Sequence, residues 1–186
     1  MTLQSNAPLD EAAVRRELVS LGEGLFPDSR WMDGFELIDE AKLPATARTL
    51  LAHGGHMTAA LRKFYASSIQ LEVIADRAAG DEYKRRILLA IGGPRRVVEL
   101  GVVRIDLRFV PPAAKPVIMT KATPLGDVLA THNVLTKVTP RAFLRFRGGG
   151  AVVECFERGP SGEAFGRLGT IHCNGDEAIE LLEVVA

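Results

Sequence analysis

The stretch from Tyr83 to Leu107 constrains the fold most, because its pattern is typical of a β-hairpin with an arginine on its apolar side. Residues two apart in a strand share a face, so Arg85 is expected to lie with Ile87 and Leu89. Burying a guanidinium without a partner costs about 3–5 kcal/mol. The sequence therefore predicts a nearby carboxylate or an anionic ligand, with a surface arginine on an edge strand as the alternative.

The charge balance limits the classes of partner. The 186 residues are 47% hydrophobic, with 23 basic and 23 acidic side chains, which suits one globular domain without the basic excess of a nucleic-acid or membrane binder. No apolar run approaches the roughly 20 residues that span a bilayer, and no signal-peptide pattern opens the chain. We expect a small-molecule partner, no nucleic acid, no membrane, a cytoplasmic location and a monomer or dimer.

The cysteines and histidines do not form a metal-site pattern. Cys155 and Cys173 lack the spacing of a CxxC or Cys/His site. His53 and His56 flank a glycine pair, but acidic or cysteine ligands are missing nearby. The sequence therefore predicts no metal and no cofactor, and the adjacent Met57 suits the apolar wall of a pocket.

Hydrophobic periodicity predicts helices followed by strands. Helical spacing indicates one helix within the N-terminal flank of residues 1–43, and further helices over 44–51, 57–65 and 123–132. Alternation predicts strands at 69–73, in the hairpin of 83–107, and at 134–138, 143–147 and 151–157. The Asn174-Gly175 pair predicts a final hairpin, with a helix over residues 176–182 as the alternative.

Two further positions could take part in chemistry. Glu154 lies in the predicted strand 151–157 with Val152 and Phe156 on its face. Burial would raise the pKa of its carboxyl and prepare it for proton transfer, whereas a nearby arginine would lower that pKa. An outward-facing Glu154 is the alternative. At the predicted helix start 123–126 the amide of Leu125 could meet an anion, although a simple capped helix explains the same pattern.

Four short stretches, taken in order, resemble the chorismate pyruvate-lyase family, also called 4-hydroxybenzoate synthases. They are Met57-Thr58, Arg85 in Arg-Arg-Ile-Leu-Leu, Pro124-Leu125-Gly126 and Glu154-Cys155-Phe156. The resemblance covers about residues 44–158 and implies an α+β fold. In that fold a single antiparallel β-sheet has helices packed on one face, and the ligand is sealed between sheet and helices. Residues 159–186 would form a C-terminal extension, a hairpin, within one domain of residues 1–186.

The resemblance also implies the site. Arg85 and Glu154 would be catalytic, Arg85 clamping a carboxylate and Glu154 facing the 4-hydroxyl. Met57, Arg104 and the Leu125 amide would complete the substrate-binding set. Arg104 would substitute for a second family arginine, whose position is taken here by a valine. The implied reaction removes the C4 proton and the enolpyruvyl ether of chorismate, which releases 4-hydroxybenzoate and pyruvate and needs no cofactor.

The ligand expected from this resemblance is a small aromatic or cyclohexadiene carboxylate. Because Val102 makes the pocket less cationic than in the family, a monoanion is expected to bind better than the dianion chorismate. The alternative function is a non-catalytic binding domain of the same fold, as in effector-binding domains of transcription regulators. A third possibility is a structural protein in which Arg85 and Glu154 pair directly and close the pocket.

Overall fold

One antiparallel sheet forms the centre of the protein. The structure is a computed structural model that describes residues 9–92, 95–148, 150–156 and 162–186. The strands are β1 Phe35–Ile38, β2 Gln70–Ala79, β3 Glu82–Ile91, β4 Arg96–Asp106, β5 Thr136–Arg147, β6 Glu163–Cys173 and β7 Asp176–Val185. Their order across the sheet is β1-β5-β6-β7-β4-β3-β2, and all neighbours are antiparallel. The tip of the β3–β4 hairpin, at Gly93 and Pro94, lies outside the described residues.

Six α-helices lie in the part of the chain that the structure describes. They are α1 Glu11–Gly22, α2 Ala45–Leu51, α3 Met57–Tyr65, α4 Ala114–Met119, α5 Leu125–Thr131 and α6 Ala151–Glu154. The bounds of α3 agree with the sequence prediction, whereas α2 begins one residue later and α5 two residues later than predicted. Within the described residues, none of these helices is long and apolar enough to cross a membrane.

The two faces of the sheet carry different helices. Strand pairing places Arg85 opposite Val103 and Val103 opposite Leu181, which defines the front face. The alternate residues, including Leu100 and Val102, define the back face. Helices α2 to α5 pack on the front face, so the predicted α+β fold with a single antiparallel sheet and helices is confirmed. Helices α1 and α6 pack on the back face, so helices cover both faces of the sheet, whereas the sequence predicted helices on one face.

The strand predicted for residues 151–157 is wrong. Ala151–Glu154 is the short helix α6, and the residues from 157 to 161 lie outside the described ranges. Val152 and Phe156 do share a buried side, as predicted. They are four residues apart, and that spacing fits one face of a helical turn as well as one face of a strand. The periodicity of so short an apolar run therefore could not distinguish the two.

The last third of the chain builds the middle of the sheet. The two strands predicted at 134–138 and 143–147 are the single strand β5, which carries an irregularity between Pro140 and Ala142. Asn174 and Gly175, with φ of 54° and 103°, form the turn of the β6–β7 hairpin. That hairpin lies between β5 and β4 at the centre of the sheet, whereas the sequence placed it beyond the core. The division of the chain into domain segments remains a prediction.

Candidate functional site

A small cavity lies between the front face and helices α3 and α5. Its volume is about 40 Å³. Strands β3, β4, β6 and β7 form its floor, and the starts of α3 and α5 form its roof. The polar and charged side chains that line it are His56, Thr58, Arg85, Glu99 and Glu183. The apolar part of the lining includes Met57, Ile87, Leu89, Val103, Leu125 and Leu181.

Arg85 is the residue that sets the character of this cavity. It is 0% exposed, and the parity argument from the sequence placed it correctly on the front face with Ile87 and Leu89. Its Nε, Nη1 and Nη2 atoms have no hydrogen-bond acceptor among residues 9–92, 95–148, 150–156 and 162–186. Burial lowers the pKa of Arg85 from its ordinary value, and Tyr83 and the negative charge of Asp76 oppose this shift, so the guanidinium remains charged at neutral pH. An unpaired buried cation is therefore directed at the cavity.

Two polar neighbours lie close to Arg85 without bonding to it. Asp76 is its direct partner across the β2–β3 pair, and the Tyr83 hydroxyl is fully buried two residues earlier on β3. Burial raises the pKa of Tyr83, the negative charge of Asp76 raises it further, and the positive charge of Arg85 opposes this. Neither Tyr83 nor Asp76 satisfies hydrogen-bond geometry to the guanidinium. Asp76 instead binds Lys121, whose Nζ lies 2.8 Å from Oδ1 and 2.7 Å from Oδ2.

A second buried arginine lies beside the cavity, and its donors are engaged. Arg167 is 0% exposed, and its Nε donates to Glu183 Oε2 at 2.5 Å. Its Nη1 donates to the carbonyl oxygens of Leu51 and His53 at 3.0 and 2.7 Å, and Nη2 donates to the Gly55 carbonyl at 3.2 Å. Arg167 thereby ties the joint between α2 and α3 to the centre of the sheet.

Glu99 brings a further carboxyl to the cavity. It is 2% exposed, and its Oε2 has no hydrogen-bond partner in the described part of the chain. Burial raises the pKa of Glu99 well above its ordinary value, and the negative charge of Glu183 raises it further, while Arg167 opposes the shift. The surroundings of Glu99 thus favour the neutral, protonated form of its carboxyl over the ionised form. A neutral carboxyl can donate a hydrogen bond as well as accept one.

Three of the five predicted site residues lie together. Met57, at the start of α3, and Leu125, at the start of α5, line the cavity with Arg85. The apolar surround was predicted to include Val102, and that assignment is wrong. Val102 lies on the back face against α1, and Val103 on the front face replaces it, because successive residues of β4 point to opposite faces.

Arg104 does not reach the cavity. It lies on the back face of β4 with Val102, so the prediction that it substitutes for a second pocket arginine is not supported by the geometry. Its Nη1 donates to the Ser20 hydroxyl at 2.9 Å, and its Nη2 pairs with Glu180. Parity correctly grouped Arg104 with Val102, but the pair was assigned to the wrong face of the sheet.

Glu154 also lies outside the cavity. It belongs to α6 and lines a separate cleft with Phe26, Trp31 and Arg86, all of which lie on the back-face side of the sheet. The structure therefore does not bring Glu154 together with Arg85, and the two residues do not pair to close the cavity as the structural alternative requires. The position expected for Glu154 at the cavity is taken by Glu99 and Glu183.

The fold has counterparts among solved structures. PhnF from Mycobacterium smegmatis superposes with a TM-score of 0.51 at 13% identity, covering 72% of this chain and 64% of that chain. The effector domain of the same PhnF gives a TM-score of 0.50 at 15% identity, covering 70% of this chain and 87% of that one. The fold is chorismate lyase-like. At these identities the likeness shows the fold alone.

A third solved structure superposes less well. A ligand-binding domain assigned to a GntR-family transcriptional regulator from Bordetella bronchiseptica gives a TM-score of 0.44 at 8% identity, covering 82% of this chain and 90% of that one. That score is too low to support an argument. No known protein family and no curated protein matches the sequence. The chorismate lyase-like fold is therefore shown, while lyase activity rests on the sequence resemblance.

Sequence reasoning missed Glu99, Arg167 and Glu183, although alternation held a signal for one of them. Glu183 has Leu181 and Val185 as its same-face neighbours in β7, and all three lie on the front face. Arg167 could be recognised as a site residue only from the pairing of β6 with β7, which places it opposite Glu183. In the described residues, no group of three or more His, Cys, Asp or Glu side chains could hold a metal ion.

Proposed function

We propose that this protein is a small-molecule-binding domain of the effector type, which holds a small carboxylate in the cavity at Arg85 without turning it over. The observation that carries this proposal is the fully buried, unpaired guanidinium of Arg85. An isolated buried charge is costly, and a bidentate carboxylate is its best-matched partner. The structural likeness to the effector domain of PhnF supports binding rather than catalysis.

The charges around the cavity favour a ligand with one negative charge. Arg167 and Glu183 form an ion pair, and the raised pKa of Glu99 favours its neutral form. Among the described residues that line the cavity, Arg85 is then the charge that no opposite charge balances. A second carboxylate on the ligand would meet Glu183 or Glu99 without a free cation. The preferred ligand is therefore a monocarboxylate whose far end carries a hydroxyl or another neutral polar group for Glu99.

The size of the cavity implies that binding is coupled to movement. A volume of 40 Å³ holds about three water molecules, less than a substituted benzene ring requires. Helices α3 and α5 form the roof, and they are joined by the Arg62–Asp127 pair at 2.6 and 2.7 Å. A ring acid would displace one of these helices. That response is the property that an effector domain needs to report its ligand.

The test is calorimetric titration of the wild-type protein with 4-hydroxybenzoate and with 4-hydroxybenzyl alcohol, which has the same ring and hydroxyl but no carboxylate. Loss of a charge-assisted bidentate contact should cost about 2 kcal/mol, roughly thirtyfold in Kd. Arg85→Met should remove the preference for the acid, whereas Arg104→Gln, on the back face, should keep it. Equal affinity for acid and alcohol in the wild type would refute the anion site.

Turnover is the second candidate, and Glu99 is the observation that favours it. A buried carboxyl with a raised pKa, in the same cavity as an anion-binding arginine, is an arrangement used for proton transfer. In this case Glu99 would take the role that the sequence resemblance gave to Glu154. Incubation of the protein with chorismate, followed by chromatography, tests for 4-hydroxybenzoate and pyruvate. Product formation that Glu99→Gln abolishes would make the protein a lyase.

A further inference from the structure

The aspartate opposite Arg85 owes its place to an irregularity in β2. The pairing of β2 with β3 shifts by one residue between Val73 and Ala75, so that Val73 opposes Ile87 while Asp76 opposes Arg85. Without this shift, Ala75 would stand opposite Arg85. β-bulges are often found next to functional sites, where they redirect a side chain. The bulge therefore places a carboxylate beside the unpaired cation of the cavity.

Despite this placement, the two opposite charges do not pair. Directly opposed charges on antiparallel strands lie about 5 Å apart at Cβ and normally attract each other. Here both carboxylate oxygens of Asp76 bind the ammonium of Lys121, and the Arg85 guanidinium has no acceptor within the described residues. The Asp76 carboxylate is thus paired with Lys121 and does not pair with Arg85.

The backbone at Lys121 adopts a conformation that most side chains disfavour. Its φ is 62°, in the left-handed region, at the position that follows the C-cap of α4. Glycine is the residue usually found there, because a side chain is disfavoured in this conformation. Lysine at this position accepts backbone strain and places its ammonium against Asp76.

We propose that Lys121 is a positioning residue, which holds Asp76 away from Arg85 and so keeps the anion site open, with Asp76 as an internal competitor of the ligand. This inference rests on the proposed binding function. Removal of the Lys121 ammonium frees Asp76 to turn to Arg85, and the ligand must then displace it. Lys121 also lies in the loop that leads into α5, whose Leu125 lines the cavity. If the Asp76 carboxylate moved from Lys121 to Arg85, the loop that carries Lys121 would be released, and the occupancy of the anion site would thereby be coupled to the position of α5.

The first experiment measures the affinity of 4-hydroxybenzoate by calorimetry. If freed Asp76 occupies Arg85 for about nine-tenths of the time, the apparent Kd of Lys121→Gln rises about tenfold. Asp76→Asn in the same protein removes the competitor and should restore the wild-type Kd. Lys121→Arg keeps the positive charge and should retain most of the affinity.

The double variant separates this proposal from a simpler one. If Lys121 only attracts the anion through space, Lys121→Gln still weakens binding, but Asp76→Asn does not restore it. Lys42→Gln is the matched control, because it breaks the surface ion pair with Asp39, 3.5 Å apart, outside the cavity lining. This control should leave the Kd unchanged. Failure of the double variant to recover would overturn the proposal.

A second experiment needs no ligand. The urea midpoint of unfolding is compared between Asp76 and Asp76→Asn proteins, with either arginine or methionine at position 85. In the Lys121→Gln background, Asp76→Asn should lower the midpoint only when Arg85 is present. With Lys121 in place, the effect of Asp76→Asn on the midpoint should depend much less on Arg85, because Lys121 balances the charge of Asp76. If the effect of Asp76→Asn depends on Arg85 equally with and without the Lys121 ammonium, the positioning role is wrong. This outcome can be read even if 4-hydroxybenzoate does not bind and the proposed function fails.

Discussion

Two buried arginines on the same face of the sheet show how differently one side chain can be used. Arg85 and Arg167 are both 0% exposed, and they lie in neighbouring rows of the sheet. One row runs from Asp76 through Arg85 and Val103 to Leu181. The next row contains Arg167 opposite Glu183. The two arginines thus share burial and secondary structure and differ only in their partners.

Partners determine what each arginine contributes. Arg167 has a carboxylate and three backbone carbonyl oxygens as acceptors, so its burial holds α2 and the following joint against the sheet. The guanidinium of Arg85 forms no hydrogen bond with any described residue, so its burial raises the free energy of the unliganded fold. The unpaired buried cation of Arg85 therefore supports the proposed anion site.

The largest expected effect comes from breaking the satisfied site. Arg167→Met leaves Glu183 as an unpaired buried carboxylate and removes the donors from three carbonyl oxygens. Loss of one partner of a buried pair costs about 3–5 kcal/mol, so urea unfolding should show a strong fall in stability. The double variant Arg167→Met/Glu183→Met should recover part of this loss. A stability within 1 kcal/mol of wild type would show that Arg167 is not structural.

The same substitution at the other arginine should act in the opposite direction. Arg85→Met keeps the side-chain length and removes an unpaired buried charge, so the unliganded protein should gain about 1–3 kcal/mol of unfolding free energy. Urea denaturation without ligand measures this. A loss of stability comparable to that of Arg167→Met would mean that Arg85 is structural, and the proposed anion site would lose its basis.

Glu99 predicts a pH dependence of about 1 kcal/mol or more, since one pKa unit corresponds to 1.36 kcal/mol. Its pKa is raised in the folded protein, so its contribution to stability is fully present below the ordinary value of 4.5 and is lost as pH rises toward the folded pKa. Glu99→Gln has no such loss. The variant should therefore gain stability relative to wild type between pH 5 and pH 8.

Urea unfolding of the wild type and of Glu99→Gln at both pH values measures this difference. Glu40→Gln, at an exposed position, is the control for the substitution itself. Its difference from the wild type should be the same at pH 5 and pH 8. A difference for Glu99→Gln that does not change with pH would mean that Glu99 is ionised in the folded state, and its proposed role as a neutral donor would be wrong.

The sequence could predict those parts of the site that depend on local periodicity. Counting in twos along β3 placed Arg85 on the apolar face, and the resemblance of two short motifs to the chorismate pyruvate-lyase family placed Met57 and Leu125 at the ligand pocket, where both line the cavity. The cluster of Arg167, Glu183 and Glu99 depends on which strands become neighbours. β4 pairs with β7 across a long stretch of chain, and local spacing carries no record of that pairing. The final hairpin was therefore assigned to an extension, although it supplies part of the site.

Face assignment failed for a related reason. Alternation groups residues that share a face, as it did for Val102 and Arg104, but both faces of β4 are apolar because α1 covers the back and other helices cover the front. When both faces are buried, the pattern cannot say which face points to a given cavity. Only the register of β3 with β4, which sets Arg85 opposite Val103, decides the matter.

The smallest expected effect tests the boundary of the site. Glu154 lies on α6 in a cleft with Trp31 and Arg86, on the other side of the sheet from Arg85. Glu154→Gln keeps the shape of the side chain, so the Kd for 4-hydroxybenzoate should stay at the wild-type value and stability should change by about 0.5 kcal/mol at most. Calorimetric titration of Glu154→Gln and Glu99→Gln with 4-hydroxybenzoate compares the two Kd values directly. A clear loss of affinity in Glu154→Gln with none in Glu99→Gln would mean that the ligand binds on the back face, and the unpaired charge of Arg85 would then need another explanation.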